Sequence, residues 1–261
     1  MSEPLSSPSP GVALGPGRLG PLVASALAYR RAGRTILNDV SLVAPPGRVI
    51  GVMGPSGTGK SSLLALLGGL DRPDTGTVRR EPPDARLGLV LQAYGLVSLL
   101  TAAENVEIVL QPHVAARQLT REEVRHLAAT LLDTLGLTSA RDNLVEELSG
   151  GQQQRVAIAR ALVTEPDILL ADEFAAELDH ETKLHALDLI VAVARRGGIV
   201  VIATHDPDIA QRCDQVFHLA DGHLHLSPER EAPTPAGARH RREDGSATPR
   251  STSAPGMDEI Q

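Results

Sequence analysis

Gly54, followed four residues later by Gly59-Lys60-Ser61, is a spacing suited to a polyphosphate. In the run Gly54, Pro55, Ser56, Gly57, Thr58, Gly59, Lys60, Ser61, Ser62, the glycines let the backbone curl so that its N–H groups converge on phosphate oxygens at the positive end of the next helix. Lys60 then holds the outer phosphates as a point charge, and the Ser61 hydroxyl serves as a ligand of Mg²⁺. Such a loop needs a strand before it and a helix after it; VIGVM (Val49–Met53) and SLLALL meet both needs. An acid at the end of a neighbouring apolar strand is the second requirement. DILLADE supplies it: Asp172 can polarise a metal-bound water, and Glu173 can deprotonate an attacking one. A further anion site is written into LSGGQQQRVAIARAL. There Ser149 and Gln152 have capping-box spacing, so a helix opens with the amides of Ser149, Gly150 and Gly151 exposed.

These groups need a rigid frame, and several short runs supply its strands. VIGVM, LGLVL at 87–91, ILLA at 168–171 and GIVVIAT at 198–204 are apolar on almost every residue rather than on alternate ones. Strands covered on both faces look like this, which points to an α/β fold with a parallel sheet between helices. Between the second and third runs the pattern turns helical. Thr120 with Glu123 forms a capping box, and Val124, Leu127, Ala128, Leu131, Leu132 and Leu135 share one helical face before Gly136 ends it. The expected organisation is a folded unit at 22–227 with a helical subdomain at about 93–157. Residues 1–21 and 228–261, rich in Pro, Ser, Gly and charge without apolar periodicity, are expected to be disordered tails.

Composition narrows the function classes. With 261 residues, of which 42% are hydrophobic, the chain can build one sizeable domain. A formal charge of -7 argues against sequence-independent nucleic-acid binding, which needs clustered Lys and Arg. Cys213, the single cysteine, has no disulfide partner and reads as a small buried hydrophobe compatible with a reducing cytosol. No apolar run approaches the roughly 18 to 20 residues that span a bilayer.

With these motifs in hand, the chain resembles the ATP-binding cassette ATPases, whose signature is LSGGQ. The resemblance covers nearly all of residues 22–226, and the remaining elements occur in the family's order. Gln92 matches the glutamine loop, Asp179 in AELD the D-loop, His205 in IVVIATHD the switch histidine, and Tyr29 the aromatic that stacks on adenine. The resemblance implies a P-loop core with a mainly parallel sheet, an N-terminal antiparallel β part and an inserted helical subdomain. It also implies a head-to-tail homodimer in which Ser149 and Gly151 of one copy contact the γ-phosphate held by the other's Lys60. In that arrangement Glu173 is the general base, His205 contacts the γ-phosphate, and Gln92 contacts Mg²⁺ while sensing a partner beside the helical subdomain. The implied protein is a cytoplasmic ATPase subunit, peripheral on the inner face of the cell membrane and docked on a separate integral-membrane permease. LLALLGGLDRPDTGTV and SLLTAAENVEIVL look most like the ATPases of lipoprotein-release, macrolide-efflux and cell-division-type systems.

One segment departs from the pattern. Where the family often has DEPT, this chain reads DEFAAELD, with Phe174 for proline, Ala175 for threonine and Glu177 in the D-loop. Losing proline is expected to loosen the loop after the base, and Glu177 adds a carboxylate near the implied dimer interface. A regulatory module that binds ATP and gates a membrane partner with little turnover is therefore the alternative to a motor.

Overall fold

The computed structural model describes residues 19–227. The expected tails lie outside the described residues except at 19–21, where Leu19 already packs against the core and the Gly20 N–H donates to Glu81 O.

An antiparallel sheet opens the chain: β1 (Leu22–Arg31) lies between β2 (Arg34–Ala44) and β4 (Thr75–Arg79). The larger sheet has six strands. Across it run β5 (Leu87–Val90), β6 (Ile168–Asp172), β7 (Ile199–Thr204), β3 (Val49–Met53), β8 (Gln215–Ala220) and β9 (His223–Leu226). All neighbours are parallel except β8 with β9. The apolar runs become strands because both faces of this sheet are covered. Along β6, Leu169 and Ala171 enter one core cluster while Ile168 and Leu170 enter the other; along β7, Val200 and Ile202 alternate in the same way with Ile199, Val201 and Ala203.

One cluster unites the sheet with the antiparallel part and with α1 (Lys60–Gly68), which lies over β6 and β7. The other unites the opposite face with the helices, among them α2 (Ala102–Glu107), α4 (Arg121–Thr134), α5 (Gly150–Leu162) and α6 (His180–Arg195). The short α3 (Gln111–Ala115) and α7 (Pro207–Ala210) complete the set. The capping box at Thr120 forms as expected: its Oγ1 accepts from Glu123 N–H, and Glu123 Oε2 accepts from Thr120 N–H. Val124, Ala128 and Leu132 are buried on the face the spacing predicts, with Leu127 and Leu131 partly so, and Gly136 follows the helix at φ 69°.

Register decides where the chemistry goes. Val90 stands opposite Ala171, Asp172 opposite Ala203, and Met53 opposite Thr204. The residues that follow these strands, Gln92, Glu173, Gly54 and His205, therefore leave the sheet along one edge. That is the carboxyl edge of its parallel strands, where α/β sheets hold ligands.

Candidate active site

The loop after β3 turns without room for side chains. A Cβ on Gly54 would lie 2.5 Å from Leu219 O, and Gly59 precedes α1 at φ 104°, a left-handed conformation that glycine adopts without penalty. The Thr58 hydroxyl donates to Pro55 O at 3.0 Å, while Pro55, Ser56 and Gly57 form the exposed crest. Lys60 is buried, and its Nζ donates to Gly54 O at 2.8 Å and Pro55 O at 3.2 Å. The ammonium thus braces the loop from within while its third proton faces the acids of β6.

Those acids differ in their surroundings. Asp172 is buried at the end of β6, and its Oδ1 has no hydrogen-bond partner among the described residues. Burial pushes its carboxyl above the ordinary aspartate range, while a hydrogen bond from Ser61 pulls the other way and the Glu173 charge adds to the rise. A buried carboxylate oxygen without a partner, beside a serine hydroxyl, is an oxygen donor set that fits a hard divalent cation. Glu173 instead has partners on both oxygens: Oε1 lies 3.3 Å from Lys60 Nζ, and Oε2 lies 2.9 Å from His205 Nδ1. Lysine at the start of α1, glutamate just after β6 and histidine just after β7 therefore form one continuous row.

Phe174 corrects an expectation. The loop after the base is pinned rather than loosened, because Phe174 is fully buried in the helical-side core. Glu173 has left-handed backbone geometry at φ 47°, and its N–H donates to Ala203 O at 2.9 Å. An aromatic anchor replaces the restraint that proline would have given, and it turns the glutamate toward Lys60.

Tyr29 lies on β1 of the antiparallel sheet. Expected to stack on adenine, its ring is only 8% exposed within the core on β1, and its hydroxyl donates to Asp71 Oδ2. The ring packs in the core and its polar tip is satisfied. Asp179 is likewise not in the cluster at Lys60. Its Oδ1 accepts from Thr182 N–H at 3.0 Å and its Oδ2 from Thr182 Oγ1 at 2.8 Å, so it caps α6, and these bonds hold its carboxyl below the ordinary range. Gln92 is exposed just beyond β5, Ser62 sits half-buried on α1, and His205 is 71% exposed at its side chain.

The signature residues form a separate surface. Ser149 and Gln152 make the predicted capping box, with Ser149 N–H donating to Gln152 Oε1 at 2.8 Å and Gln152 N–H to Ser149 Oγ at 3.3 Å. Gly150 and Gly151 begin α5 against Glu177 and Tyr94, and no described contact joins them to Lys60. Two supports were invisible to sequence reasoning. Lys183 on α6 holds Asp206 at 2.7 Å, bracing the turn after His205, and Arg160 on α5 donates to the carbonyls of Tyr94 and Gly95 beyond Gln92. Neither cation has a motif of its own; each pairing joins residues from separate elements that only the fold brings together.

Known proteins share this organisation. The ABC transporter family pattern matches residues 37–176. The lipoprotein-releasing system ATP-binding protein LolD 2 of Caulobacter vibrioides is 41% identical over 203 residues, covering 73% of this chain and 89% of that protein. The macrolide export ATP-binding/permease protein MacB of Sodalis glossinidius is 39% identical over 203 residues, covering 72% of this chain. This chain spans only about a third of the length of such macrolide export relatives, 30% in that case and 34% for MacB of Rhodopseudomonas palustris. Among solved structures, a dimeric post-hydrolysis state of the ATP-binding cassette MJ0796 bound to ADP and Pi superposes with a TM-score of 0.70 at 32% identity, covering 78% of this chain and 96% of that one. The expected fold class and the likeness to lipoprotein-release and macrolide-efflux ATPases are both borne out, and the chain belongs to the ABC transporter family.

Proposed function

We propose that this chain is the ATP-binding and hydrolysing subunit of an ABC transporter, driving a separate integral-membrane permease by ATP-dependent closure of a homodimer. The observation that carries the proposal is the row Lys60, Glu173, His205 beside the unpartnered Asp172 oxygen, at the carboxyl edge of the sheet. Gly54 to Ser62 wrap the phosphates, and Lys60 exchanges its contact with Glu173 for one with the γ-phosphate. Glu173, so released, accepts the proton of the attacking water, while His205 orients that water and the charge developing on the phosphoryl group. Ser61, Asp172 and Gln92 would hold Mg²⁺, which would supply charge neutralisation to the phosphates. Ser149, Gly150, Gly151 and Gln152 meet the nucleotide bound by a second copy, which agrees with their separation from Lys60 within one chain.

The names of the relatives, a lipoprotein-releasing system and a macrolide exporter, support work at a membrane. Among the described residues no helix is long and apolar enough to cross one. We therefore place the chain on the cytoplasmic face of the cell membrane, held there by its permease, with no role for nucleic acid. Steady-state ATPase measurement tests the motor: Glu173→Gln is expected to lower turnover by about 10²–10⁴-fold while leaving ATP binding intact. Equal turnover in both proteins would favour the regulatory module instead.

A further inference from the structure

We propose that Lys183 is a positioning residue for the hydrolytic site: its ion pair with Asp206 sets the turn that aims His205 at Glu173 and the attacking water, an inference that rests on the ATPase reading above. The side chain of His205 is mostly exposed, so packing does not hold the ring. Its described polar contact is that of Nδ1 with Glu173 Oε2 at 2.9 Å. A ring held so lightly takes its direction from the backbone that carries it. On one side that backbone is Thr204, buried at the end of β7 and opposite Met53 on β3. On the other side is Asp206, which makes four hydrogen bonds. Its N–H donates to Thr204 Oγ1 at 3.0 Å, and its carbonyl accepts from Ala210 N–H at 3.1 Å. Its Oδ1 accepts from Asp208 N–H at 2.8 Å and caps α7, while its Oδ2 accepts from Lys183 Nζ at 2.7 Å.

Of these bonds, the one from Lys183 is the one that ties Asp206 to a separate element. Lys183 stands in the first turn of α6, where its N–H donates to Asp179 O at 2.8 Å, and α6 is anchored by Ala186, Leu187 and Ile190 in the helical-side core. The loop that leaves Glu173 also ends on α6, by way of buried Phe174 and the Asp179 cap. The two residues that must face one water therefore take their positions from a single helix. Lys183 is largely buried and Asp206 partly so. Without the ammonium the Asp206 carboxylate would be left half-buried and unpaired, a costly state that the turn relieves by opening to water. Asp208 Oδ2 lies 3.6 Å from the same ammonium but is exposed, so water serves it when the lysine is gone. Burial raises the Asp206 carboxyl, but the Lys183 bond and the Asp208 N–H outweigh it and hold the group below its ordinary range; the same bond holds the Lys183 ammonium above its own. The pair is therefore charged near neutral pH.

Misplacing a catalytic group by about 1 Å can cost about a hundredfold in rate, so loss of the pair should lower kcat by about 10- to 100-fold. The test measures turnover of the full chain and of Lys183→Met, Asp206→Asn and the variant carrying both changes, each well below its Tm. Methionine keeps the length of the stem without the charge, and asparagine keeps the cap of α7 without it. In each single variant kcat should fall while binding of a fluorescent ATP analogue stays the same. The double variant should be no slower than the slower single one, because both changes break one pair. In carbon-13 spectra of labelled histidine, the His205 ring signal, assigned by its loss in His205→Ala, should shift in Lys183→Met. A lysine that only stabilised the fold would leave that signal in place. Should Lys183→Met fail to fold, Asp206→Asn carries the same comparison of kcat, binding and ring signal. An unchanged kcat, losses that multiply in the double variant, or an unmoved His205 signal, with Glu173→Gln slow, overturns the role of Lys183 alone. If Glu173→Gln turns over as fast as the unsubstituted chain, the ATPase reading falls and takes this inference with it.

Discussion

Replacing Phe174 with alanine separates the two accounts of the loop that follows the catalytic base. If the loop were merely tethered, the change would cost little. The ring is instead fully buried, the largest side chain among the described residues with so little exposure, and it packs in the cluster that joins the sheet to α4, α5 and α6. Phe→Ala changes at such sites cost about 3–5 kcal/mol, combining lost transfer energy with the cavity left behind. For a domain of this size each kcal/mol lowers Tm by about 2–4 °C, so the loss translates to roughly 6–20 °C. Urea unfolding followed by circular dichroism gives the free energy directly, and Phe174→Leu, which keeps much of the volume, should lose only about 1–2 kcal/mol. Turnover measured well below the lowered Tm should also fall, because Glu173 loses the anchor that turns it toward Lys60, while binding of an ATP analogue should persist. A cost below about 1 kcal/mol for Phe174→Ala, or unchanged turnover in the folded variant, would refute the argument that the aromatic replaces the restraint of proline.

Burial and the neighbouring Asp214 push the Cys213 thiol up to about 12, so at pH 8 it should react with a disulfide reagent about a thousandfold more slowly than a free thiol and recover normal reactivity in urea. Equal rates in native and unfolded protein would contradict that burial. The carboxyl of Asp179 is held below its unfolded value by Thr182, so its contribution to stability is present above the ordinary carboxylate range and is lost as the pH falls through the lowered value. Asp179→Asn keeps a capping side chain but cannot titrate. Its urea midpoint should therefore approach that of the unsubstituted protein as the solution is acidified, and a gap that stays constant with pH would count against the assignment.

The parts of the site written in contiguous residues were legible in the sequence, because their function depends on local geometry. The loop from Gly54 to Ser62 needs its glycines at fixed spacing, and Ser149 with Gln152 closes a capping box within one helical turn. The strands were legible because burial on both faces removes polar alternation; VIGVM matches β3 residue for residue, and ILLA gains only Asp172. What the sequence concealed are choices made by tertiary packing. The ring of Tyr29 packs in the core with its hydroxyl on Asp71, far along the chain, a pairing that no local pattern announces. In the sequence Phe174 shows only as a replacement for proline, whereas its consequence comes from the core it fills. The approach of Glu177 to Gly150 joins segments whose meeting no spacing rule encodes.

The strand order has a consequence for biosynthesis. β3, which launches the phosphate loop, is made early, yet both its sheet neighbours, β7 and β8, are made near the end of the described chain. As the polypeptide leaves the ribosome, that strand waits with both edges open, and the long sequence separation of its pairings makes the step slow. ATP therefore cannot template the first half of the molecule. The nascent chain needs another means of shielding VIGVM until its late partners emerge, and mutations that delay β7 are expected to appear first as aggregation during synthesis.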